Sequence, residues 1–403
     1  MKASRATALA LIGALGAGFA VGRFTAPRID PELAGVASFR WSLEDPDWLD
    51  RTWRMGAFLQ GLTPENLPAS LEVLGPRIPW LVTDELRLFM FAWARFDPAG
   101  ALRQALAWPA PFDRNAAGAA IYAWAFLDPQ AALAALEAVE DDGLRDFMER
   151  RLVAGWVHGP QKQSASEWIA ALPAGSRRFE YVGKLAWELA KDGPEALVRW
   201  AEEIPARDAR FKASVFLQAT STLAPLDPAS TAAWLAPHLD RDYADGVMRT
   251  VARIWVGRDP EAAMAWLAAL PVGSQRADSV SHAFSAWLEA SPEEATAWLR
   301  SAAPAAALDP AVRAIVGRTR RDDPAGAMDW ALALDDPERR RTLVASVGRA
   351  WMRRDPGAAR AWLERHELDP ATRQAILAPG PQDPERGAAG EDGGSASPDP
   401  VSP

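Results

Sequence analysis

The chain has 403 residues, of which 49% are hydrophobic, and this composition predicts a folded protein with a large core. Its formal net charge of -9 argues against nonspecific binding to nucleic acid, because a phosphate backbone selects clustered lysine and arginine. The absence of cysteine excludes disulfides, thiolate metal sites and an anchor on a lipidated cysteine.

The N-terminal residues 1–28 are typical of a signal anchor or a signal peptide. Lys2 and Arg5 precede an uncharged run over residues 6–22, a layout that favours a single membrane anchor. A cleaved signal is the alternative, since Gly18-Phe19-Ala20 is an acceptable cleavage site. We therefore expect a single-pass protein of a bacterial inner membrane with its repeat domain in the periplasm or, after signal cleavage, a secreted or periplasmic protein.

Residues 29–62 are predicted to form a tether followed by an N-terminal cap helix. The helix opens at Asp45-Pro46 and carries Trp48, Trp53 and Phe58. The ends of repeat arrays need such atypical covering elements. At the other end, residues 379–403 are rich in proline, glycine, serine and acidic residues without periodicity, and we predict a disordered tail.

Residues 63–378 are predicted to form a repeat domain of about ten helical hairpins. Prolines that open a helix recur every 31 to 34 residues. They are Pro64, Pro98, Pro129, Pro160, Pro194, Pro228, Pro260, Pro292, Pro324 and Pro356. In residues 259–288, for example, Asp259 caps a first helix, Pro271 ends it, and a second helix follows. A spacing this regular predicts an all-α solenoid.

Tryptophan recurs at two fixed positions of the repeat. Six residues after the proline stand Trp200, Trp234, Trp266, Trp298, Trp330 and Trp362. Near the end of the second helix stand Trp124, Trp156, Trp187, Trp255, Trp287 and Trp351. Because these positions follow the apolar stripe of amphipathic helices, we expect most of the rings to lie in the core between neighbouring units.

These features resemble the tetratricopeptide-like class of α-solenoids. The chain departs from that consensus where Pro109, Pro205 or Pro271 cuts the first helix short. It is more similar to the DPxxAxxWL…LPxGxxR repeats of uncharacterised, often exported bacterial proteins, a pattern that Asp259 to Arg276 matches. The resemblance implies a right-handed superhelix of helix pairs and a binding or scaffolding role, with no catalytic residues to carry over.

The sequence offers no motif for catalysis or for cofactor binding. None of the four histidines pairs with another at the i, i+4 spacing of a helical zinc site, and structural histidine is the expected role. There is no G-x-S-x-G, P-loop or G-x-G-x-x-G motif, and the recurring Asp-Pro acids are helix caps. We therefore expect a protein that is not an enzyme and has no metal or cofactor. An enzyme with a site inside the superhelix is a further alternative.

A basic column stands at the start of the second helices, about sixteen residues after the repeat prolines. Its members are Arg114, Arg145, Arg178, Arg210, Arg276 and Arg340. A cation there opposes the helix dipole, so each arginine needs a compensating group. One hypothesis is that each bonds free carbonyls of the preceding helix or a neighbouring acid. The other is that the column binds a partner, such as an acidic peptide or a carboxylated glycan.

Four tryptophans outside both columns are the candidates for an exposed aromatic surface. They are Trp41, Trp48, Trp53 and Trp80. The favoured function is an envelope scaffold or adaptor that binds a protein or peptide through the helical-repeat surface. The alternative is a carbohydrate or cell-wall binding module that uses these four tryptophans.

Overall fold

A computed structural model describes residues 35–80, 83–109, 112–302 and 306–378. Within these residues the chain is an all-α helical repeat fold with no strand, as predicted. The handedness of a superhelix and the regularity of the period stay predictions. The predicted anchor (residues 1–28) and tail (379–403) lie outside the described residues. No helix of the described part is long and apolar enough to cross a membrane.

The helices fall into two compact units, with the division between Glu188 and Leu189. The helices that begin in the first unit are α1 (Val36–Glu44), α2 (Trp48–Gln60), α3 (Leu67–Leu74), α4 (Thr83–Ala94), α5 (Pro98–Ala107), α6 (Phe112–Leu127), α7 (Pro129–Glu137), α8 (Asp142–His158), α9 (Lys162–Ala171) and α10 (Ser176–Lys191).

The second unit begins within the last turn of α10 and continues to the end of the described chain. Its helices are α11 (Pro194–Glu203), α12 (Ala209–Leu223), α13 (Pro228–Leu235), α14 (Val247–Val256), α15 (Pro260–Ala269), α16 (Ser274–Ala290), α17 (Pro292–Ala302), α18 (Asp309–Thr319), α19 (Pro324–Leu332), α20 (Pro337–Arg354), α21 (Pro356–Arg365) and α22 (Pro370–Leu377). Short 3-10 turns connect some of them, including Ala206–Asp208, Ala236–His238 and Asp242–Ala244.

Most of the predicted helix-opening prolines occupy the first position of a helix. These are Pro98, Pro129, Pro194, Pro228, Pro260, Pro292, Pro324 and Pro356. Where the residue before the proline is aspartate, it caps the helix, as the Asp259 carboxylate does by accepting a hydrogen bond from the Ala262 amide at 3.0 Å. Proline suits this position because its missing N–H would have no partner inside the helix.

Pro64 and Pro160 do not open helices, contrary to the prediction. Both lie in turns, and the helices begin at Leu67 and Lys162. The Asn66 side chain accepts from the Thr63 amide at 2.8 Å and donates to the Gly61 carbonyl at 2.9 Å, so it fastens a turn around Pro64.

Helix α1 was not predicted, because residues 29–44 were assigned to a tether. Phe39 is fully buried and stacks on Phe58 of α2, with ring centroids 4.5 Å apart. Ser42 and Leu43 are buried beside it, so the i, i+3, i+4 spacing places one face of α1 in the core. The N-terminal cap therefore has two helices rather than one.

In the first unit the second helices of successive hairpins pack side by side: α4 on α6, and α6 on α8. Gly155 of α8 lies against the backbone of α6, where an added Cβ would overlap the carbonyl oxygen of Tyr122. Glycine is needed here for the close approach of the two helices. In the second unit the same arrangement joins α14 to α16 and α16 to α18.

The tryptophan columns line the boundaries between hairpins, but fewer rings are fully buried than expected. Trp156, Trp200, Trp287 and Trp362 are buried. Trp124, Trp234, Trp255, Trp266, Trp298, Trp330 and Trp351 are half-buried, and Trp187 is exposed. Rings from neighbouring hairpins contact each other, as the buried Trp287 and the half-buried Trp298 do at 5.3 Å between centroids. Part of each half-buried indole therefore stays in contact with water.

Candidate functional site

All six arginines of the predicted basic column lie in the first turn of a second helix. Arg145, Arg178 and Arg340 each donate to the carbonyl six residues earlier, just after the end of the first helix: Val139 at 2.7 Å, Leu172 at 3.2 Å and Leu334 at 2.8 Å. These bonds satisfy carbonyls that have no partner within their own helix. At these three positions the arginine makes the carbonyl contact that the structural hypothesis expects.

Arg114 bonds a different carbonyl, that of Gly143 in the next hairpin, at 3.0 Å. Arg210 is exposed, and the structure gives its side chain no bond to the described residues. Lys212 takes the role that the structural hypothesis gives to Arg210, since the buried ammonium group of Lys212 donates to the Ile204 carbonyl at 2.8 Å. The 3-10 turn Ala206–Asp208 precedes α12 and brings Lys212 rather than Arg210 to that carbonyl.

Arg276 is buried but, like the exposed Arg210, bonds no carbonyl of the described residues. It is only 5% exposed, and its Nε has no hydrogen-bond partner. The guanidinium group also forms no ion pair with any side chain in the described part of the chain. A buried charge without a partner is costly. Arg276 does not perform the capping role of Arg145, Arg178 and Arg340, so the structural hypothesis does not explain why this charge is buried.

We expect Arg178→Met to lower the free energy of unfolding by about 1.5–3 kcal/mol, because it removes the charged hydrogen bond from the buried Arg178 to the half-buried Leu172 carbonyl. Arg210→Met, at the exposed position of the same column, should change it by no more than about 0.5 kcal/mol. Urea unfolding followed by circular dichroism measures both values. Equal effects of the two substitutions would contradict the capping role.

Two of the four tryptophans outside both columns lie at the surface. Trp48 is 52% exposed and Trp53 is 67% exposed, both on α2. Leu49, one turn before Trp53, is 70% exposed. We call these three residues the α2 patch. The side chains of Trp41 and Trp80 lie outside the described part, so they stay predictions.

The polar groups around the α2 patch are engaged in local contacts. The Asp47 carboxylate accepts from the backbone amides of Leu49 and Asp50, at 2.9 and 3.2 Å, and so caps α2. The Thr52 hydroxyl donates to the Trp48 carbonyl at 2.8 Å. Arg54 pairs with Asp45 at 3.3 Å. The patch is therefore an apolar surface whose polar neighbours already have partners.

A Tyr–His–Glu hydrogen-bond chain occurs in each unit, and neither was predicted. In the first unit the Tyr122 hydroxyl lies 2.9 Å from His158 Nδ1, and His158 Nε2 lies 2.8 Å from a carboxylate oxygen of Glu188. A neutral imidazole protonated at Nε2 satisfies both bonds, since Nδ1 then accepts from tyrosine and Nε2 donates to glutamate. This chain connects α6, α8 and α10.

The second Tyr–His–Glu hydrogen-bond chain is formed by residues of the second unit and has the same chemistry. His238 Nδ1 lies 2.9 Å from the Tyr243 hydroxyl, and Nε2 lies 2.9 Å from a carboxylate oxygen of Glu202. The same oxygen of Glu202 accepts from the Trp234 indole N–H at 2.8 Å. Tyr122, His158 and Glu188 stand about one repeat length apart in the sequence. This spacing, which places them at corresponding positions of neighbouring hairpins, is the sequence signal that could have indicated the first hydrogen-bond chain.

His158 has the hydrogen-bond partners of an acid–base pair but little room for a substrate beside it. The cleft beside Tyr122 and His158 has a volume of about 140 Å³, below the roughly 300 Å³ at which small-molecule pockets begin. The groups therefore tie helices together. In the described part of the chain, no group of three or more His, Asp or Glu side chains is placed to hold a metal ion.

Among the larger clefts of the second unit are two that lie beside different members of the basic column. One, of about 610 Å³, is lined by Arg340 together with Arg300, Asp329 and Trp330. The other, of about 650 Å³, is lined by Arg276. Both volumes fall in the range of ligand pockets, and only the second contains a buried cation without a partner.

Comparison with known proteins finds no match: no family model, no curated protein and no solved structure is significantly similar to this chain.

Burial raises the pKa of all three tyrosines of the chain, Tyr122, Tyr181 and Tyr243, and nearby carboxylates add to the effect. We therefore predict that absorbance at 295 nm shows no tyrosine ionisation in the folded protein near the usual pKa of about 10. Because the unfolded chain loses these protons first, stability should fall as the pH rises above 10. A tyrosine that titrates normally while circular dichroism is unchanged would contradict the burial of that hydroxyl group.

Proposed function

We propose that this chain is a non-enzymatic scaffold or adaptor that binds a protein or peptide partner through its helical-repeat surface. The observation that carries the proposal is the α2 patch, on the N-terminal cap at the start of the repeat array, where Trp48, Leu49 and Trp53 are all more than half exposed. Exposed tryptophans grouped with an aliphatic side chain are a typical binding hot spot for proteins. The opposite face of α2 buries Met55, Phe58 and Leu59, so the helix presents the patch from a fixed core.

The composition of the α2 patch favours a protein over a sugar. Carbohydrate sites combine aromatic rings with free polar groups that hydrogen-bond the sugar hydroxyls. Here Asp47, Thr52 and Arg54 are engaged within the N-terminal cap, and the exposed Leu49 adds an aliphatic side chain to the patch. Carbohydrate or cell-wall binding is the second candidate, supported by the exposure of Trp48 and Trp53 alone.

We also propose that the protein belongs to a bacterial envelope. The basis is the sequence of residues 1–28, where Lys2 and Arg5 precede the uncharged run 6–22. With the signal anchor retained, the repeat domain faces the periplasm from the inner membrane. With the signal cleaved, the protein is periplasmic or secreted. N-terminal sequencing of the mature protein distinguishes the two, because cleavage gives a start at Val21.

The test of partner binding is photo-crosslinking in cells that produce the full chain. We expect benzoylphenylalanine in place of Leu49 to give a discrete protein adduct, because its ring would lie within the contact. The matched control places the same group at Trp187, which is 59% exposed on α10 and lies outside the patch. It should give no such adduct. The double variant Trp48→Ser/Trp53→Ser, combined with the crosslinker at 49, should reduce the adduct at least about tenfold.

Equal adducts from positions 49 and 187, or an adduct that survives the double substitution, would contradict the proposal. A different result identifies the second candidate. If no protein adduct forms, and the chain sediments with purified cell-wall glycan in a manner that Trp48→Ser/Trp53→Ser abolishes, the patch binds carbohydrate.

A further inference from the structure

The cleft of about 650 Å³ beside Arg276 has mostly apolar walls. It lies between two loops of the second unit, one following α13 and the other connecting α15 to α16. The apolar side chains that line it are Ala236, Pro237, Leu239, Met248, Leu270 and Val272. Such a cleft suits the hydrocarbon part of a ligand rather than a strongly hydrated ion.

Arg276 supplies one cation at this cleft. It lines the cleft, is 5% exposed, and has an Nε without a hydrogen-bond partner. At the corresponding place in other hairpins, Arg178 and Arg340 donate to a carbonyl of the preceding loop. Arg276 does not, although Leu270 stands six residues before it as Leu172 and Leu334 do before those arginines. The guanidinium group is therefore available to an incoming acceptor.

The N-terminus of α16 adds a second favourable element. Gly273 occupies the N-cap position without a side-chain hydrogen bond, and the first intrahelical bond of this 17-residue helix is from the Ala277 amide to the Gly273 carbonyl at 3.0 Å. The amides of Ser274 and Gln275 thus point out of the helix beside the cleft. An uncapped helix start favours negative charge.

Acidic residues at the cleft limit the charge that it can accept. Asp240 lies on the rim and pairs with Arg241 at 3.3 Å. Asp245 accepts from the Gln275 side chain at 3.1 Å. One buried guanidinium and one helix start, with a carboxylate nearby, fit a single negative charge better than a phosphate dianion.

We infer that this cleft binds a single carboxylate carried on an apolar body, with the Arg276 guanidinium as the principal donor to the carboxylate. Arginine pairs with a carboxylate through two parallel N–H···O bonds, which only such a planar donor offers. The hydrocarbon part would cover Met248, Leu270 and Val272. Two sources have this chemistry: a small hydrocarbon carboxylate, and the C-terminus of a peptide that ends in an apolar residue. The site belongs to the second unit and does not depend on the α2 patch.

The test is isothermal titration calorimetry of the full chain with sodium hexanoate and with acetyl-Gly-Ala-Leu bearing a free carboxylate. Hexanamide and the C-terminal amide of the same peptide are the neutral controls. We expect at least one acid to bind at least about tenfold more tightly than its amide, since the charged hydrogen bonds are lost with the carboxylate. Arg276→Met should remove this preference, whereas Arg210→Met should leave it unchanged.

The Arg276→Met variant should fold, because Arg276 contributes no hydrogen bond to the described structure and methionine fills a similar volume. We expect a Tm no lower than that of the unsubstituted chain. Preferential binding of hexanoate assigns the cleft to small carboxylates, and preferential binding of the peptide acid assigns it to peptide C-termini. Failure of both acids to bind at 10 mM, binding of acid and amide with equal affinity, or unchanged binding by Arg276→Met would overturn the inference.

Discussion

Contact between tryptophan rings of consecutive hairpins is the interaction on which the repeat depends. At three junctions of the second unit, the last indole of one hairpin meets the first indole of the next, eleven residues later in the sequence. The pairs are Trp255 with Trp266 at 5.8 Å, Trp287 with Trp298 at 5.3 Å, and Trp351 with Trp362 at 6.3 Å between centroids. Since both rings lose water only when two hairpins meet, the energy of burial is gained at each junction rather than inside a hairpin. Buried alanines such as Ala263 and Ala295, one turn before the ring, leave space for it.

The sequence was sufficient to predict the helices wherever local chemistry decides them. Aspartate before proline is both a cap and a helix start, and Pro260, Pro324 and Pro356 open helices as expected. The failures come from contacts that are distant in sequence or from side chains that compete for the backbone. Asn66 fastens a turn around Pro64, and α1 forms because Phe39 stacks on Phe58.

The candidate sites were predictable only in part, because burial and partnership depend on neighbouring hairpins. Spacing identified the basic column and the exposed Trp48 and Trp53. Spacing could not show that Lys212 replaces Arg210 or that Arg276 is buried without bonding a carbonyl, since both depend on loop geometry. The distinction matters for the proposals: Arg178 bonds a carbonyl of the repeat, whereas the binding roles proposed for the α2 patch and for Arg276 rest on exposed apolar side chains and on a buried guanidinium group that bonds no carbonyl.

A double-mutant cycle on Trp287 and Trp298, each replaced by leucine in the full chain, tests most directly whether indole contacts join the hairpins. The coupling free energy follows from urea unfolding of the four proteins. We predict a coupling of about 0.5–1.5 kcal/mol between these two residues, and a coupling within about 0.5 kcal/mol of zero for the control cycle of Trp287 with Trp351, a ring that pairs with Trp362 instead. Zero coupling between Trp287 and Trp298 would contradict the account, because the hairpins would then be joined by other contacts.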